Sequence, residues 1–210
     1  MEIIRYAELK AQPWRNGGGV TRELASHTNA AQDNAGQDIS WDWRVSIAEV
    51  SKAGDFSAFP GMDRVLTVVE GELLLLTVDG AEHPLEKYRP FRFSGDAAAA
   101  GALPTGDIRD LNVITRNGAF KGYTSIIELS KKRAHPVFEG QLGILLQGQA
   151  TVTPGTAGTP GGDTGAAPDA EAAAAGPTAL GRYDAVVGSD TDTPEILGRG
   201  FLAVVSIDPV

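Results

Sequence analysis

The stretch Val68-Val69-Glu70-Gly71-Glu72-Leu73 recurs later in the chain as Leu145-Leu146-Gln147-Gly148-Gln149-Ala150. A short apolar run that ends at a glycine between polar side chains is typical of a β-strand followed by a sharp bend. Further matches follow in the same order: Leu85-Glu86-Lys87-Tyr88 with Leu180-Gly181-Arg182-Tyr183, Gly95-Asp96 with Ser189-Asp190, and Leu111-Asn112-Val113-Ile114 with Leu202-Ala203-Val204-Val205. The repeat predicts two related β-barrels built from one duplicated unit.

The two copies differ in length at one place. Residues 154–177 lie in the longer copy, and eighteen of these twenty-four residues are Gly, Pro or Ala. Such a composition offers no apolar face, so it predicts a mobile insertion outside any core. The polar stretch 27–38 is predicted to be a flexible loop. We expect an N-terminal barrel over residues 1–125 and a degenerate C-terminal barrel over 126–210, with termini free to cross between the barrels.

Most of the remaining chain alternates apolar and polar residues with the period of a strand. In residues 41–48 the odd positions, from Trp41 to Ile47, are aromatic or aliphatic, and Arg44 and Ser46 lie on the opposite face. Asp79-Gly80 predicts a hairpin turn. Further strands are predicted at 65–69, 73–78, 82–85, 91–93, 111–115, 123–129, 144–146, 150–153, 185–187 and 201–207. The fold class is therefore all-β.

Composition and charge exclude several classes of function. The 210 residues include 26 Gly, 12 Pro and no Cys, so helical bundles, disulfide scaffolds and cysteine-based sites are disfavoured. A net charge of −9 disfavours nucleic acid and anionic membranes as partners. The N-terminus lacks the apolar core of a signal peptide and no apolar run could span a bilayer, which predicts a cytoplasmic protein.

The order of strand, glycine bend, hairpin and closing strand resembles the jelly-roll barrel of the cupins, and the duplication resembles a bicupin. That resemblance implies metal ligands, mostly histidines, just before the bend glycine. Residues 61–68 contain no histidine. His27 falls in the polar loop, His83 beside the Asp79-Gly80 turn and His135 before Pro136. We therefore expect neither a metal nor another cofactor.

Arginine takes the place of histidine in the predicted barrel. Arg44 and Ser46 share a strand face, Asp110 and Asn112 share another, and Arg64 lies where the resemblance implies metal ligands. A buried guanidinium needs an anion, and its fork geometry suits a carboxylate. These residues predict a cavity for a small carboxylate. The alternative is that an arginine pairs internally with Asp110.

The segment Pro13-Trp14-Arg15-Asn16-Gly17-Gly18-Gly19 is a second unusual feature. Three glycines allow a close approach of the backbone to a ligand, or they form a bend between two strands with Trp14 in the core. The segment lacks the lysine and the spacing of a P-loop, so it does not indicate nucleotide binding.

Four ordered blocks closely resemble the HutD/Ves family: residues 13–23, 43–50, 56–64 and 109–113. The resemblance implies a metal-free bicupin that is associated with histidine utilisation or with stress response. For the HutD branch it implies a regulatory role through N-formylglutamate or a related histidine breakdown product. Its motif positions in this chain are Trp14, Asn16, Arg44, Ser46, Arg64, Asp110 and Asn112, which we expect to line one pocket.

Three classes of function remain open. The leading prediction is a binding module for a small carboxylate metabolite. A metal-independent isomerase or epimerase would need a general base inside the barrel, for which Asp110 or Glu49 would have to serve. A partner-binding role is the third class, because bicupins can pair through sheet edges, and a homodimer is its simplest form.

Overall fold

The computed structural model describes residues 1–28, 40–155 and 176–210. The predicted insertion at 154–177 and the predicted loop at 27–38 therefore lie almost entirely outside the described residues. Within the described ranges the chain forms β-strands and a 3₁₀ turn at Tyr6–Glu8. The strands are β1 Glu2–Ile4, β2 Gln12–Pro13, β3 Gly19–His27, β4 Trp43–Val50, β5 Gly54–Asp55, β6 Met62–Glu70, β7 Leu73–Val78, β8 Ala81–Glu86, β9 Phe91–Ser94, β10 Ala99–Ala102, β11 Ile108–Arg116, β12 Phe120–Leu129, β13 His135–Pro136, β14 Gln141–Thr153, β15 Thr178–Leu180, β16 Ala185–Val187 and β17 Glu195–Pro209. The described residues include no helix long and apolar enough to cross a membrane.

The chain divides into two compact units. One contains residues 8–125 together with 205–210, and the other contains residues 1–7 together with 126–204. We refer to them as the N-terminal and the C-terminal barrel. The chain thus passes from one unit to the other after Ala7, after Ser125 and after Val204.

The N-terminal barrel consists of two sheets with an apolar core between them. The larger sheet has the order β2-β3-β4-β11-β6-β9, and the smaller has the order β5-β10-β7-β8. Side chains from both sheets form one cluster, to which Leu66 and Val68 of β6 and Leu74 and Leu76 of β7 belong. The alternation along each strand sends every second side chain into this interior.

The strands of the C-terminal barrel belong to a sheet of order β1-β16-β14-β17-β12, with β13 against β17 and β15 against β14. Of β12 and β17, residues 126–129 and 195–204 lie in this barrel. The predicted strands 144–146 and 150–153 are parts of the single strand β14. The prediction separated them because Gly148 resembles a bend. Its φ is indeed +102°, yet the strand continues through this residue.

The backbone confirms the internal duplication. Gly71 and Gly148, which the repeat equates, both have positive φ. Tyr88 and Tyr183 also correspond, and they have φ of +66° and +67°, a conformation uncommon for a residue with a large side chain. The Tyr88 amide donates to the Val68 carbonyl at 2.8 Å, and the Tyr183 amide donates to the Leu145 carbonyl at 2.6 Å. Each copy therefore ties the same turn to the same strand.

The last block of the repeat was aligned one residue out of register. A Cβ on Gly71 would lie 2.8 Å from the Asp107 carbonyl oxygen, and one on Gly148 would lie 2.0 Å from that of Arg199. If Asp107 corresponds to Arg199 in the repeat, then Asp110 corresponds to Leu202 and Asn112 corresponds to Val204. Leu202 and Val204 belong to the apolar core of their barrel, which agrees with this register. A shift of one residue exchanges the two faces of a strand, and sequence similarity alone did not fix it.

Candidate functional site

The register of three strands brings the predicted polar residues to one end of the N-terminal barrel. Asn112 of β11 pairs with Ser46 of β4. Ile114, the next residue of β11 on the same face, lies between Arg44 of β4 and Arg64 of β6. Residues at paired positions project to the same face of a sheet. Arg44, Ser46, Arg64 and Asn112 therefore point into the barrel together.

These side chains line a cavity of about 560 Å³. Six of the seven predicted site residues reach it, namely Trp14, Asn16, Arg44, Ser46, Arg64 and Asn112. Its remaining lining residues are Gln12, Pro13, Arg15, Thr21, Ala48, Asp55, Phe56, Ser57, Phe59 and Ile114. The volume falls in the range typical of pockets for small molecules.

Arg64 is almost fully buried, with 3% of its surface exposed. Its Nη1 donates to the Ser57 carbonyl at 3.1 Å and its Nη2 donates to Asn112 Oδ1 at 3.0 Å. Its guanidinium also lies over the rings of Phe59 and Phe93, at 5.1 and 4.9 Å from their centroids. Burial is the main cause that lowers the pKa of Arg64 to about 10; Asp110 acts to raise this pKa, and nearby Arg44 acts to lower it. The side chain therefore keeps its positive charge at neutral pH.

Arg44 is held by aromatic rings in the same way. Its guanidinium lies 4.8 Å from the Trp41 ring centroid and 5.5 Å from that of Phe59. Burial lowers the pKa of Arg44, while the Glu23 carboxylate acts in the opposite direction. Among the described residues, no carboxylate lies within salt-bridge distance of Arg44 or Arg64. The Nε atoms of both arginines also have no hydrogen-bond partner there.

Asp110 is the predicted site residue that does not line the cavity. It is fully buried, and its Oδ1 accepts a hydrogen bond from Asn112 Nδ2. Its Oδ2 has no hydrogen-bond partner among the described residues. Burial raises the pKa of Asp110 to about 7, although Arg64 acts to lower it. An internal Arg–Asp ion pair, the alternative considered from the sequence, is not formed within the described residues, because Asn112 bridges Asp110 and Arg64.

The glycine-rich segment forms a tight turn between β2 and β3. The Trp14 amide donates to the Gly19 carbonyl at 2.9 Å, and the Gly17 amide donates to the Trp14 carbonyl at 3.0 Å. A Cβ on Gly19 would lie 2.3 Å from the Glu49 carbonyl oxygen, so only glycine fits beside β4. Asn16 stabilises the turn, since its Oδ1 accepts the Gly18 amide at 2.9 Å. The glycines therefore form a bend between two strands, which is one of the two alternatives that the sequence left open.

The aromatic rings against the arginines were not predicted from the sequence. Phe56 and Phe59 lie within the block 56–64 that carried the family resemblance, but no role was assigned to them. Trp41 was predicted to share a face with Trp43, which was wrong. Strand β4 begins at Trp43, so Trp41 lies outside its alternation and packs on Arg44.

Glu49, the second candidate for a general base, takes part in an ion-pair chain across the larger sheet. It accepts from Arg22, and its other oxygen lies 3.5 Å from Arg109 Nη2. Arg109 Nη1 in turn contacts Glu70 at 3.0 Å. Glu49 is also absent from the lining of the cavity that holds Arg44 and Arg64.

None of the three histidines lines the cavity. His27, His83 and His135 lie on strands β3, β8 and β13. The expected polar loop was therefore wrong at His27, whereas His83 lies within the predicted strand 82–85. The His83 ring packs 4.6 Å from that of Phe91. The described part of the chain contains no cluster of three or more His, Cys, Asp or Glu residues suited to a metal ion.

Comparison with known proteins gives a consistent result. The HutD family model matches residues 6–204. Protein Ves of Citrobacter koseri is 35% identical over 130 residues, which are 61% of this chain and 64% of Ves. An uncharacterized protein of Pseudomonas putida, described as lying in the hutC 3' region, is 36% identical over 115 residues, which are 54% of this chain and 57% of that protein. These alignments cover less than two thirds of the length of either relative.

Solved structures extend the match to the whole chain. HutD of Pseudomonas fluorescens, solved in a formate condition, superimposes with a TM-score of 0.72 at 25% identity, covering 100% of this chain and 98% of that one. A cupin 2 conserved barrel domain protein of Leptotrichia buccalis gives a TM-score of 0.56 at 8% identity, with 100% and 96% coverage. The second likeness concerns the fold alone, and it confirms the jelly-roll cupin architecture.

Proposed function

The chain belongs to the HutD family, and from that premise we propose that its N-terminal barrel binds a small carboxylate metabolite. The observation that carries the proposal is the pair of arginines in one cavity. Both guanidinium groups are positively charged, and neither has a carboxylate within salt-bridge distance among the described residues. A buried cation without a counter-ion is unfavourable, so an anionic ligand would stabilise the site.

The chemistry of the cavity favours a carboxylate over other anions. A guanidinium presents parallel N–H donors that match the two oxygens of a carboxylate. Ser46 and Asn16 add polar groups at the wall, while Phe56 and Phe59 provide apolar surface for a short carbon chain. A molecule with a carboxylate, a few methylene groups and a second polar end suits this lining.

N-formylglutamate is the ligand that we propose first, because it has these features. The P. putida relative lies in the hutC 3' region, and a HutD structure matches the whole chain. Both names connect the family with hut genes. We therefore propose that the protein senses this or a related histidine breakdown product and regulates histidine utilisation or a stress response.

Isothermal titration calorimetry tests the proposal. We expect N-formylglutamate to bind the wild-type protein, and we would compare it with urocanate and glutamate. Arg44→Ala should weaken binding by about 100-fold, since it removes a charged hydrogen-bond donor. Arg92→Ala changes an arginine whose side chain is 41% exposed and lies outside the cavity, so it should bind like the wild type. Absence of binding to all three compounds at millimolar concentration would exclude this ligand class.

A metal-independent enzyme is the second candidate, and Asp110 is the observation in its favour. A carboxyl group with a pKa of about 7 suits general acid–base catalysis at neutral pH. Asp110 does not line the cavity, however, so it would have to act through Asn112. Incubating the protein with N-formylglutamate in D₂O and following the ligand by NMR distinguishes the two functions. A binding module leaves the ligand unchanged, whereas turnover or exchange of its Cα proton would support the enzyme.

A further inference from the structure

A hydrogen-bonded relay connects the cavity to Asp110. Arg64 Nη2 donates to Asn112 Oδ1 at 3.0 Å, and Asn112 Nδ2 donates to Asp110 Oδ1. The amide of Asn112 is thereby oriented, because its oxygen faces the cation and its nitrogen faces the carboxyl group. Asp110 Oδ2 is buried and has no hydrogen-bond partner among the described residues, so it is free to carry a proton.

Few charged groups face Asp110. Its partners across the flanking strands are Ala48 on β4 and Val68 on β6, both apolar. The charged side chains on the same face of these strands are Arg44 and Arg64, and Glu23 of β3 acts on Arg44. Asp55 lies exposed in the cavity lining, and the core side chains contributed by β7 and β10 are Leu74, Leu76 and Ala99.

The charge of the site changes when an anion binds. Without a ligand, ionised Asp110 partly compensates the buried charge of Arg64. A carboxylate bound at Arg64 supplies the same compensation, so two negative groups would then share one buried cation. Like charges in a medium of low dielectric constant disfavour each other's ionised form. The neutral carboxylic acid is the form of Asp110 that is compatible with a bound anion.

We propose that Asp110 takes up one proton from solvent, on Oδ2, when an anionic ligand binds at Arg64. This inference rests on the proposed carboxylate binding. Asp110 is a positioning residue in this scheme, since it acts on the ligand through Asn112 and Arg64. Its role makes the protein respond to pH as well as to the ligand.

The direction of the pH dependence follows from the two states of Asp110. The pKa of Asp110 is about 7 without ligand, and a bound anion raises it. Affinity is therefore greatest below pH 7 and falls as the pH rises from 7 towards the pKa of the complex. One pH unit above the free pKa, the loss reaches about tenfold at most.

Calorimetry in two cationic buffers with different ionisation enthalpies, triethanolamine and Tris, measures the proton uptake at pH 8. The probes are N-formylglutamate and formate. We expect the wild type to give a buffer-dependent heat that corresponds to uptake of up to one proton. Asp110→Asn imitates the neutral acid, so it should bind without uptake, up to about tenfold more tightly than the wild type at pH 8, and with constant affinity from pH 6.5 to 8.5.

Asp63→Asn is the matched control, since it removes a carboxylate that is 38% exposed and lies outside the cavity, and it should leave the proton uptake unchanged. If the wild type binds with the same heat in both buffers, the proton-linked scheme is overturned, while carboxylate binding stands. Absence of any binding would overturn both. The wild-type measurement decides the matter even if Asp110→Asn does not fold.

Discussion

The two barrels share a backbone plan and differ in what fills them. Both contain a glycine of positive φ at the equivalent position, Gly71 after β6 and Gly148 within β14, and both hold a tyrosine with φ near +66° that is tied to the same strand position. Asp110 and Asn112 of the N-terminal barrel correspond to Leu202 and Val204, which lie in the apolar core of the C-terminal barrel. Duplication has preserved the turns, while these interior positions are polar in the N-terminal barrel and apolar in the C-terminal barrel.

Comparing equivalent positions of the two barrels separates residues that the fold needs from residues of the proposed site. Turn residues recur because both copies need them, whereas Arg64 corresponds to Gln141 by the same alignment. Buried charge lowers stability unless it is compensated. Stability therefore does not explain the two arginines and the carboxyl group of the N-terminal barrel, whereas the proposed carboxylate binding does.

The largest effect on stability should come from placing the residue type of Asp110 at the equivalent position of the C-terminal core. Leu202→Asp places a carboxyl group in a core where Leu202 is fully buried, and we expect the free energy of unfolding to fall by about 4 kcal/mol. Leu202→Met, as a control, should cost less than about 1.5 kcal/mol. Urea denaturation followed by circular dichroism measures both. A loss below 1 kcal/mol for Leu202→Asp would contradict the assignment of this position to an apolar core.

The paired tyrosines should respond unequally to the same substitution. Glycine relieves the strain of positive φ at both positions, worth about 1 kcal/mol. Tyr183 is 1% exposed and packs on Tyr6, so Tyr183→Gly should still lower the free energy of unfolding by about 3 kcal/mol. Tyr88 is only half-buried, and Tyr88→Gly should change that free energy by less than about 1 kcal/mol. Equal losses in urea denaturation would show that the two turns pack alike.

Asp110 should give the N-terminal barrel a pH-dependent stability. Its pKa of about 7 in the folded protein lies above the ordinary value of 3.8. The folded state therefore holds more protons between these values, so the contribution is complete below pH 4 and is lost as the pH rises through 7. The slope cannot exceed about 1.4 kcal/mol per pH unit. Thermal unfolding between pH 4.5 and 7.5 should show Asp110→Asn with a flatter profile than the wild type, and parallel profiles would argue against this pKa.

The fold could be predicted because the internal repeat and the alternation of apolar and polar residues are both visible in the sequence. The strands 73–78 and 185–187 were predicted with the bounds that the structure has. The register of the last repeat block was missed, because Leu-Asn-Val-Ile and Leu-Ala-Val-Val match best in the wrong register, with Leu111 against Leu202. Only the close approach of Gly148 to Arg199 reveals the correct pairing.

The residue types of the site could be predicted from the sequence, but the extent to which each side chain is buried could not. Arg44, Ser46 and Asn112 follow from alternation on strands, and Arg64 follows from the cupin resemblance. The structure brings all four to one cavity. Asp110 shares their face but lies behind Asn112, and a sequence does not tell how far a side chain lies from solvent. The rings of Phe59 and Trp41 come from segments outside the strands, where no periodicity indicates orientation.

Carboxylate binding through arginine should be confined to the N-terminal barrel. NMR of protein labelled with ¹⁵N at arginine Nε tests it directly, since Arg44 Nε and Arg64 Nε are buried without hydrogen-bond partners among the described residues. Titration with N-formylglutamate should shift the signals of these two groups and leave that of Arg182, in the C-terminal barrel, unchanged. A shift of the Arg182 signal while those of Arg44 and Arg64 stay in place would show that the N-terminal barrel is not the carboxylate site.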